Sequence, residues 1–279
     1  TLWWKAAKKT LLAYGMTQSA VDPCFFQRTD AKETLTCALT VDDFFLAGSS
    51  TEALKRFEAY FKREHKCKIE YDPKLLLGGE LERGAEGATR FTHERLARKF
   101  IQLMGYEVET LKSVASPAMA TLQLVRADQQ DEVLTEHQRE EYEAMMPRYA
   151  SAVGLLSYIA QASRADVQRV TRECQKMLCS PPYAAWVALK RVARYLRGTL
   201  RKGVAFKGES YRGETGIEHP LVAFADAAYA TDVHAGVPAG AQTGHSWIGG
   251  LVTVFGSPVR SFSTAPKVVL SSTRDAELL

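Results

Sequence analysis

Two adjacent carboxylates, Asp42 and Asp43, stand in the stretch LTCALTVDDFFLAGS (Leu35–Ser49), between the apolar runs Leu35–Val41 and Phe44–Ala47. Short β-branched and aromatic runs around acidic turn residues predict a β-hairpin with the pair at its tip. Neighbours on a strand point to opposite faces, so the two carboxylates cannot do the same job. One can face a cleft while the other braces it or reaches a metal from the side. A hard divalent cation such as Mg²⁺ takes oxygen ligands, commonly one or two protein carboxylates plus substrate phosphates. The pair therefore has the make-up of half of a two-metal phosphoryl-transfer site. The same two residues also make an ordinary solvated turn.

A second cluster with chemical potential is basic. No acid occurs between Glu173 and Glu209, while Lys176, Lys190, Arg191, Arg194, Arg197, Arg201, Lys202 and Lys207 all fall in that interval. On a helix from Tyr183 to Arg197, Trp186, Leu189, Ala193 and Leu196 share one face and Lys190, Arg191, Arg194 and Arg197 the other. Such a face suits phosphate or simply solvent. Two further acids stand at element ends: Asp226 closes the apolar run Leu221–Ala225, and Glu277 lies just after Leu270–Thr273, where Ser or Thr caps a helix.

The elements that must position these residues alternate. A helix is predicted over Trp3–Tyr14, with Trp4, Ala7, Leu11 and Leu12 on its apolar side and Gly15 as its stop. Asp22-Pro23 turns the chain, and a strand begins at Cys24-Phe25-Phe26. Ser49 and Glu52 fit a capping box before Leu54, Phe57 and Phe61. Cys67–Tyr71 and Leu75–Glu82 read as strands, Arg83–Thr89 as a turn, and Arg90–Thr92 as the return. Leu96, Phe100, Leu103 and Met104 repeat at helical spacing up to Gly105. Val114–Gln138 reads as a linker. Helices follow over about Arg148–Gln161, Ala165–Cys179 and Tyr183–Arg197, with Pro182 at the start of the last. Then come strands over Leu221–Asp226, Ser246–Phe255 (with a Gly249-Gly250 turn) and Pro258–Ser263. The fold class is α+β.

Composition narrows the classes. The chain has 279 residues, 46% hydrophobic and 24% charged, which is globular. A net charge of +4 is too small to argue for nucleic acid by itself. The five cysteines form no CxxC pair, so neither a zinc site nor a disulfide framework is indicated. The six histidines lack metal-ligand spacing and read as surface or loop residues. No apolar run approaches the roughly 18 residues of a membrane span. The first residues, TLWWKAAKKT, hold no signal-peptide core. Both ends read like helix interiors and are expected to be cut.

Several segments, in order, resemble copia-type retrotransposon Pol polyproteins. TVDDFFLAGSS resembles the YVDD box of their reverse transcriptases, and YGMTQSAVDPCFF the segment before it. LLLGGELER resembles FLGIEIER. YASAVGLLSYIA followed by ADV is similar to YRSLVGSLLYLA followed by PDI. WVALKRVARYLRGT is close to HWKALKRVLRYLKGT, and LVAFADAAYATD and VVLSSTRDAELL resemble the YSDADWAGD and TVALSSTEAEY boxes of the ribonuclease H part. The resemblance covers nearly the whole chain.

It implies a partial reverse-transcriptase palm with an antiparallel hairpin (1–92), a thumb and linker (93–146), a helical connection (147–203) and an incomplete ribonuclease H-like α/β domain (204–279). It implies Mg²⁺ as cofactor, an RNA/DNA template-primer duplex as partner, no membrane, and a cytoplasmic or nuclear location. Asp42 and Asp43 correspond to the paired palm carboxylates, and Asp226 to the first ribonuclease H acid, expected on a central strand beside a terminal helix. Glu277 corresponds to the helix acid if one residue is inserted near Arg274; without that insertion Ala276 takes the place. Lys190, Arg191, Arg194 and Arg197 would meet phosphates. Thr40 stands where the family has Tyr, which removes an aromatic contact. A further palm carboxylate and a later ribonuclease H Asp are not found, so the chain is expected to be an inactive fragment of an RNA-directed DNA polymerase with ribonuclease H. The alternative is a non-catalytic nucleic-acid-binding remnant.

Overall fold

A computed structural model describes residues 2–84, 87–119, 122, 124–129, 131–207, 211–212, 218–228 and 246–264. The chain divides into two compact units, Thr1–Asp72 and Pro73–Leu279. It is α+β, with antiparallel pairing in all its described sheets.

In the first unit α1 (Leu2–Ala13) leads into β1 (Thr17–Gln18), β2 (Phe25–Thr29), β3 (Thr34–Thr40), β4 (Asp43–Gly48) and α2 (Thr51–Glu64). The sheet order follows the chain, β1-β2-β3-β4. Alternation along β3 buries Leu35, Cys37 and Leu39 and turns the intervening residues to the other face. Phe26, Leu35 and Cys37 pack with Leu11, Phe57 and Phe61 of the two helices. Gly15, at φ +89°, ends α1 as expected. The buried stripe of α1 is Ala7, Thr10 and Leu11, whereas Leu12, placed on that side by the sequence reading, is 43% exposed. The cap of α2 falls one residue later than expected: the Ser50 side chain accepts from the Ala53 amide. Cys67–Tyr71 forms no strand.

The second unit begins with β5 (Leu75–Leu76), β6 (Gly79–Arg83), β7 (Thr89–Thr92) and α3 (Glu94–Leu103). The expected strand Leu75–Glu82 is thus a hairpin, turned at Leu77-Gly78 with both residues at positive φ. α3 has no cap from its own N-cap residue; Glu80 of β6 supplies it, accepting from the amides of Glu94 at 2.9 Å and Arg95 at 3.4 Å. A strap over residues 104–134 follows, and its described residues form neither helix nor strand except a 3₁₀ turn at Ala127–Gln129.

The strap ends sooner than the expected linker because α4 (Glu136–Ala162) starts far earlier than Arg148. Thr135 and Gln138 close a reciprocal capping box, and the helix runs on through Pro147. α5 (Gln168–Lys176) and α6 (Tyr183–Gly198) complete a helical core around Tyr149, Leu156, Ile159, Trp186 and Leu189, onto which Phe100 and Ile101 of α3 pack.

β8 (Val204–Phe206) returns to pair with β7. After β9 (Tyr211–Arg212) and β10 (Glu218–His219) comes a sheet of β11 (Leu221–Ala228), β12 (Trp247–Val254) and β13 (Ser257–Thr264). Gly249-Gly250 is no turn but the middle of β12. The ring of Phe262 lies over Gly250, where an added Cβ would meet it at 2.3 Å. The turn is Phe255-Gly256, both at positive φ. No helix among the described residues is long and apolar enough to cross a membrane.

His93 departs from its surface reading. It is 2% exposed at the β7–α3 junction, its Nδ1 lies 2.9 Å from the Ser163 hydroxyl, and its Nε2 has no hydrogen-bond partner among the described residues. Burial pushes its pKa below the ordinary 6.5, against the weaker pull of the Leu77 carbonyl and the Glu80 charge. The folded state therefore holds fewer protons than the unfolded one as pH falls through 6.5. The associated stability is complete above that pH and is lost below it. Urea midpoints measured between pH 7.5 and 5.5 should fall with acidification, and His93→Asn should flatten that dependence.

Candidate functional site

The hairpin expected around the two carboxylates is present. β3 and β4 pair from Leu35↔Gly48 to Thr40↔Asp43, leaving Val41 and Asp42 as a two-residue turn. Asp42 and Asp43 are exposed, and Val41 is 80% exposed. Alternation along β4 sends Phe44 and Leu46 toward the core and Asp43 and Phe45 to the open face. The two acids thus differ in position: Asp42 lies in the turn itself, and Asp43 opens a strand on the face away from the helices. Neither carboxylate has a hydrogen-bond or ion-pair partner among the described residues, so their oxygens are free to accept a ligand.

Val41 carries the strain of this turn. Its φ of +52° is left-handed, a region in which a β-branched side chain crowds its own backbone. Such conformations cost of order 1–3 kcal/mol and persist where the surroundings over-determine them.

Asp226 is exposed near the end of β11, opposite Gly249 of β12. β11 is an edge of the described three-stranded sheet, not the central strand expected. Its cross-strand neighbours on that face are therefore on one side only. Glu277 lies outside the described residues, as does the helix expected beside it. Asp42 and Asp43 belong to the first unit and Asp226 to the second.

The basic face of α6 has internal partners. Lys190 Nζ donates to Glu141 of α4 at 2.5 Å, and Tyr183 and Trp186 donate to the same carboxylate. Burial works against the charge of Glu141, but these donors outweigh it and hold its pKa below the usual range. Arg191 donates to Ser116 Oγ at 3.0 Å, Arg194 to the Lys112 carbonyl at 3.1 Å, and Arg197 to the carbonyls of Val108 at 3.0 Å and Glu109 at 3.4 Å. Successive guanidinium groups of one helix face thus clasp the strap, and all four side chains are half-buried. At Gly198 the strap comes so near that a Cβ would meet Ser113 at 2.8 Å.

Sequence reasoning missed a tightly knit polar group centred on Arg164 and Asp166. Arg164, 2% exposed, makes two bonds of 2.9 Å to Asp166 and further bonds to the carbonyl and hydroxyl of Thr199. Tyr195 donates to Asp166 at 2.6 Å, and Lys202 lies 3.4 Å from it. The signal was a short one, the ADV that follows the YASAVGLLSYIA segment. Asp166 lies in that tripeptide, but its partners Arg164, Tyr195 and Lys202 all lie outside it.

What the arrangement can do toward a metal is limited and specific. Among the described residues no group of three or more His, Cys, Asp and Glu side chains is placed to hold an ion. Two free carboxylates at one tip match the one or two protein ligands that Mg²⁺ commonly takes when phosphate oxygens supply the rest. The pair therefore fits a cation that arrives with its substrate.

The retrovirus-related Pol polyprotein from transposon RE2 of Arabidopsis thaliana is 29% identical over 82% of the chain. That from transposon TNT 1-94 of Nicotiana tabacum is 24% identical over 92% of it. The chain is similar over most of its length to these two transposon Pol polyproteins. It spans 14% and 18% of the length of these two Pol polyproteins. A secreted RxLR effector protein 161 of Plasmopara viticola is 35% identical over 30% of the chain and 55% of its own length. No family model matches. No solved structure matches.

Proposed function

We propose that this Pol-related chain is a segment of an RNA-directed DNA polymerase with ribonuclease H. Its first unit would carry the hairpin of the polymerase palm, and β11–β13 would be the opening strands of a ribonuclease H-like domain. One observation carries the reading: in a chain similar to Pol polyproteins over most of its length, the Asp42–Asp43 pair stands free and exposed at a hairpin tip, Asp42 in the two-residue turn and Asp43 opening the next strand. Asp42 and Asp43 would hold Mg²⁺ at a primer end, and Asp226 would serve the second activity. The metal would supply charge neutralisation at the transferred phosphoryl group.

The chain's own part is geometric. The hairpin lifts two carboxylates clear of other acids and bases, so their charge is available to a cation shared with substrate phosphates. The open face beside Asp43 continues through Phe45 and Ala47, which leaves room for a bound strand.

Two ions about 4 Å apart need more anionic ligands than one pair provides. Removing a single preorganised electrostatic group commonly costs about 10²–10³ in rate. The isolated chain is therefore expected not to extend a primer. A primer-extension assay with Mg²⁺ or Mn²⁺ checks this. Template-dependent extension that vanishes in Asp42→Asn with Asp43→Asn would show a complete polymerase centre instead.

A further inference from the structure

We infer that Trp3 is the positioning residue for the Asp42–Asp43 pair, because it grips the hairpin on both sides of the two carboxylates. Its indole N–H donates to the carbonyl oxygen of Val41 at 3.0 Å, the residue before the pair. Its ring meets Phe44, the residue after the pair, edge-on with centroids 6.0 Å apart. The two contacts bracket Asp42 and Asp43 and involve neither carboxylate.

Little else holds the tip. Val41 is 80% exposed and both acids are free. A valine at φ +52° would relax if nothing opposed it. Closure of the two-residue turn by the Thr40↔Asp43 pair demands a positive φ at its first position, and the Trp3 bond adds a restraint from outside the hairpin, acting on the carbonyl of that strained residue.

Trp3 is itself well anchored. Ala7, Thr10 and Leu11 seat α1 in the core. The Thr10 hydroxyl lies 2.8 Å from Nε2 of His65, just beyond α2, and the Trp3 ring meets the His65 ring edge-on at 5.3 Å. Phe44 also packs against Phe61 of α2 at 4.9 Å. The turn is therefore referenced to both helices and not only to its own strands. It follows that Trp3 sets the direction in which the carboxylates point and the bite they offer a cation. The metal part rests on the reading proposed above; the hold on the turn does not.

Trp3→Phe keeps a ring against Phe44 and deletes the donor. ¹⁵N relaxation and Mn²⁺-induced broadening at Asp42 and Asp43 read the outcome, with Asp42→Asn plus Asp43→Asn locating the broadening. The melting temperature should stay near that of the parent. The amide order parameters of Asp42 and Asp43 should drop from near 0.85 toward 0.6, and the Kd for Mn²⁺ should rise about three- to tenfold, the worth of one hydrogen bond.

Unchanged order parameters in a folded Trp3→Phe protein would overturn the proposal. Absence of Mn²⁺ broadening in the parent would overturn the metal reading, and the order parameters would still decide the role of Trp3. If Trp3→Phe fails to fold, Val41→Gly with Trp3 intact decides it. The order parameters should then stay high despite the permissive glycine, and a drop would show that the Val41 backbone, not Trp3, holds the turn.

Discussion

Asp166→Asn should destabilise the second unit by about 3–5 kcal/mol, the cost of leaving a buried charge without its partner. Arg164 cannot shed its proton and cannot reach water at 2% exposure. With the carboxylate gone it keeps its bonds to the carbonyl and hydroxyl of Thr199, retains at most one of its two bonds to Asp166, because an amide has a single acceptor oxygen, and loses the neutralising charge. Tyr195 shares Oδ2 of Asp166 with one Arg164 bond, so these donors compete for the one oxygen left, and Lys202 loses its ion-pair partner. The substitution keeps the shape of the side chain, so the loss is electrostatic and not one of packing.

Burial works against the Asp166 charge, but Arg164 and Tyr195 outweigh it and hold its pKa below the ordinary 3.8. The sign is then opposite to a raised carboxylate: its contribution is complete above pH 3.8 and is lost as pH falls through the lower folded value. Denaturant midpoints at pH 7 should show the full difference between parent and variant, and the difference should shrink in strong acid. A shift under 1 kcal/mol would mean that water or Thr199 already satisfies Arg164. Replacing Arg164 and Asp166 together by apolar residues should cost less than Asp166→Asn alone, since nothing charged is then left buried.

Local chemistry explains which parts of the fold could be read beforehand. The β3–β4 hairpin, α2, α3 and α6 were legible because each carries its own period and its own stop. Val41-Asp42 sits between two apolar runs, and Gly15 and Gly105 end helices at positive φ. Cys67–Tyr71 misled because its alternation has strand character but no neighbouring strand accepts it. The start of α4 was hidden in a polar stretch, although Thr135 and Gln138 had capping-box spacing. Gly249-Gly250 resembles a turn until Phe262 is laid across it.

The candidate site divides in the same way. The position of the acids at a tip follows from neighbours in sequence. Their restraint by Trp3 spans 38 residues and has no local mark. The role of the α6 arginines was equally invisible, because their acceptors lie between 75 and 89 residues away and are mostly backbone carbonyls. A basic helix face looks the same in sequence whether it meets phosphate or its own chain.

That ambiguity has a measurable resolution. Arg191→Glu with Arg194→Glu should lower the stability of the second unit by about 2–4 kcal/mol, because each guanidinium is a charged donor to the strap and such bonds are worth about 1.5–3 kcal/mol before solvent exposure is discounted. The reversal also sets carboxylates against strap oxygens that now accept hydrogen bonds, Ser116 Oγ and the Lys112 carbonyl. Arg191→Lys with Arg194→Lys separates the two roles. Lysine keeps the charge that phosphate would feel but loses the fork that reaches a carbonyl at the required angle. If the clasp is the function of this face, the lysine pair should lose a substantial part of the same stability. The loss should persist at high salt, where binding to a duplex is screened away. If phosphate is its target, the lysine pair should melt like the parent and hold an RNA/DNA duplex with the parent's salt dependence. The glutamate pair should then lose duplex affinity while remaining folded. The observed bonds to Ser116, Lys112, Val108 and Glu109 favour the clasp over phosphate as the role of this helix face.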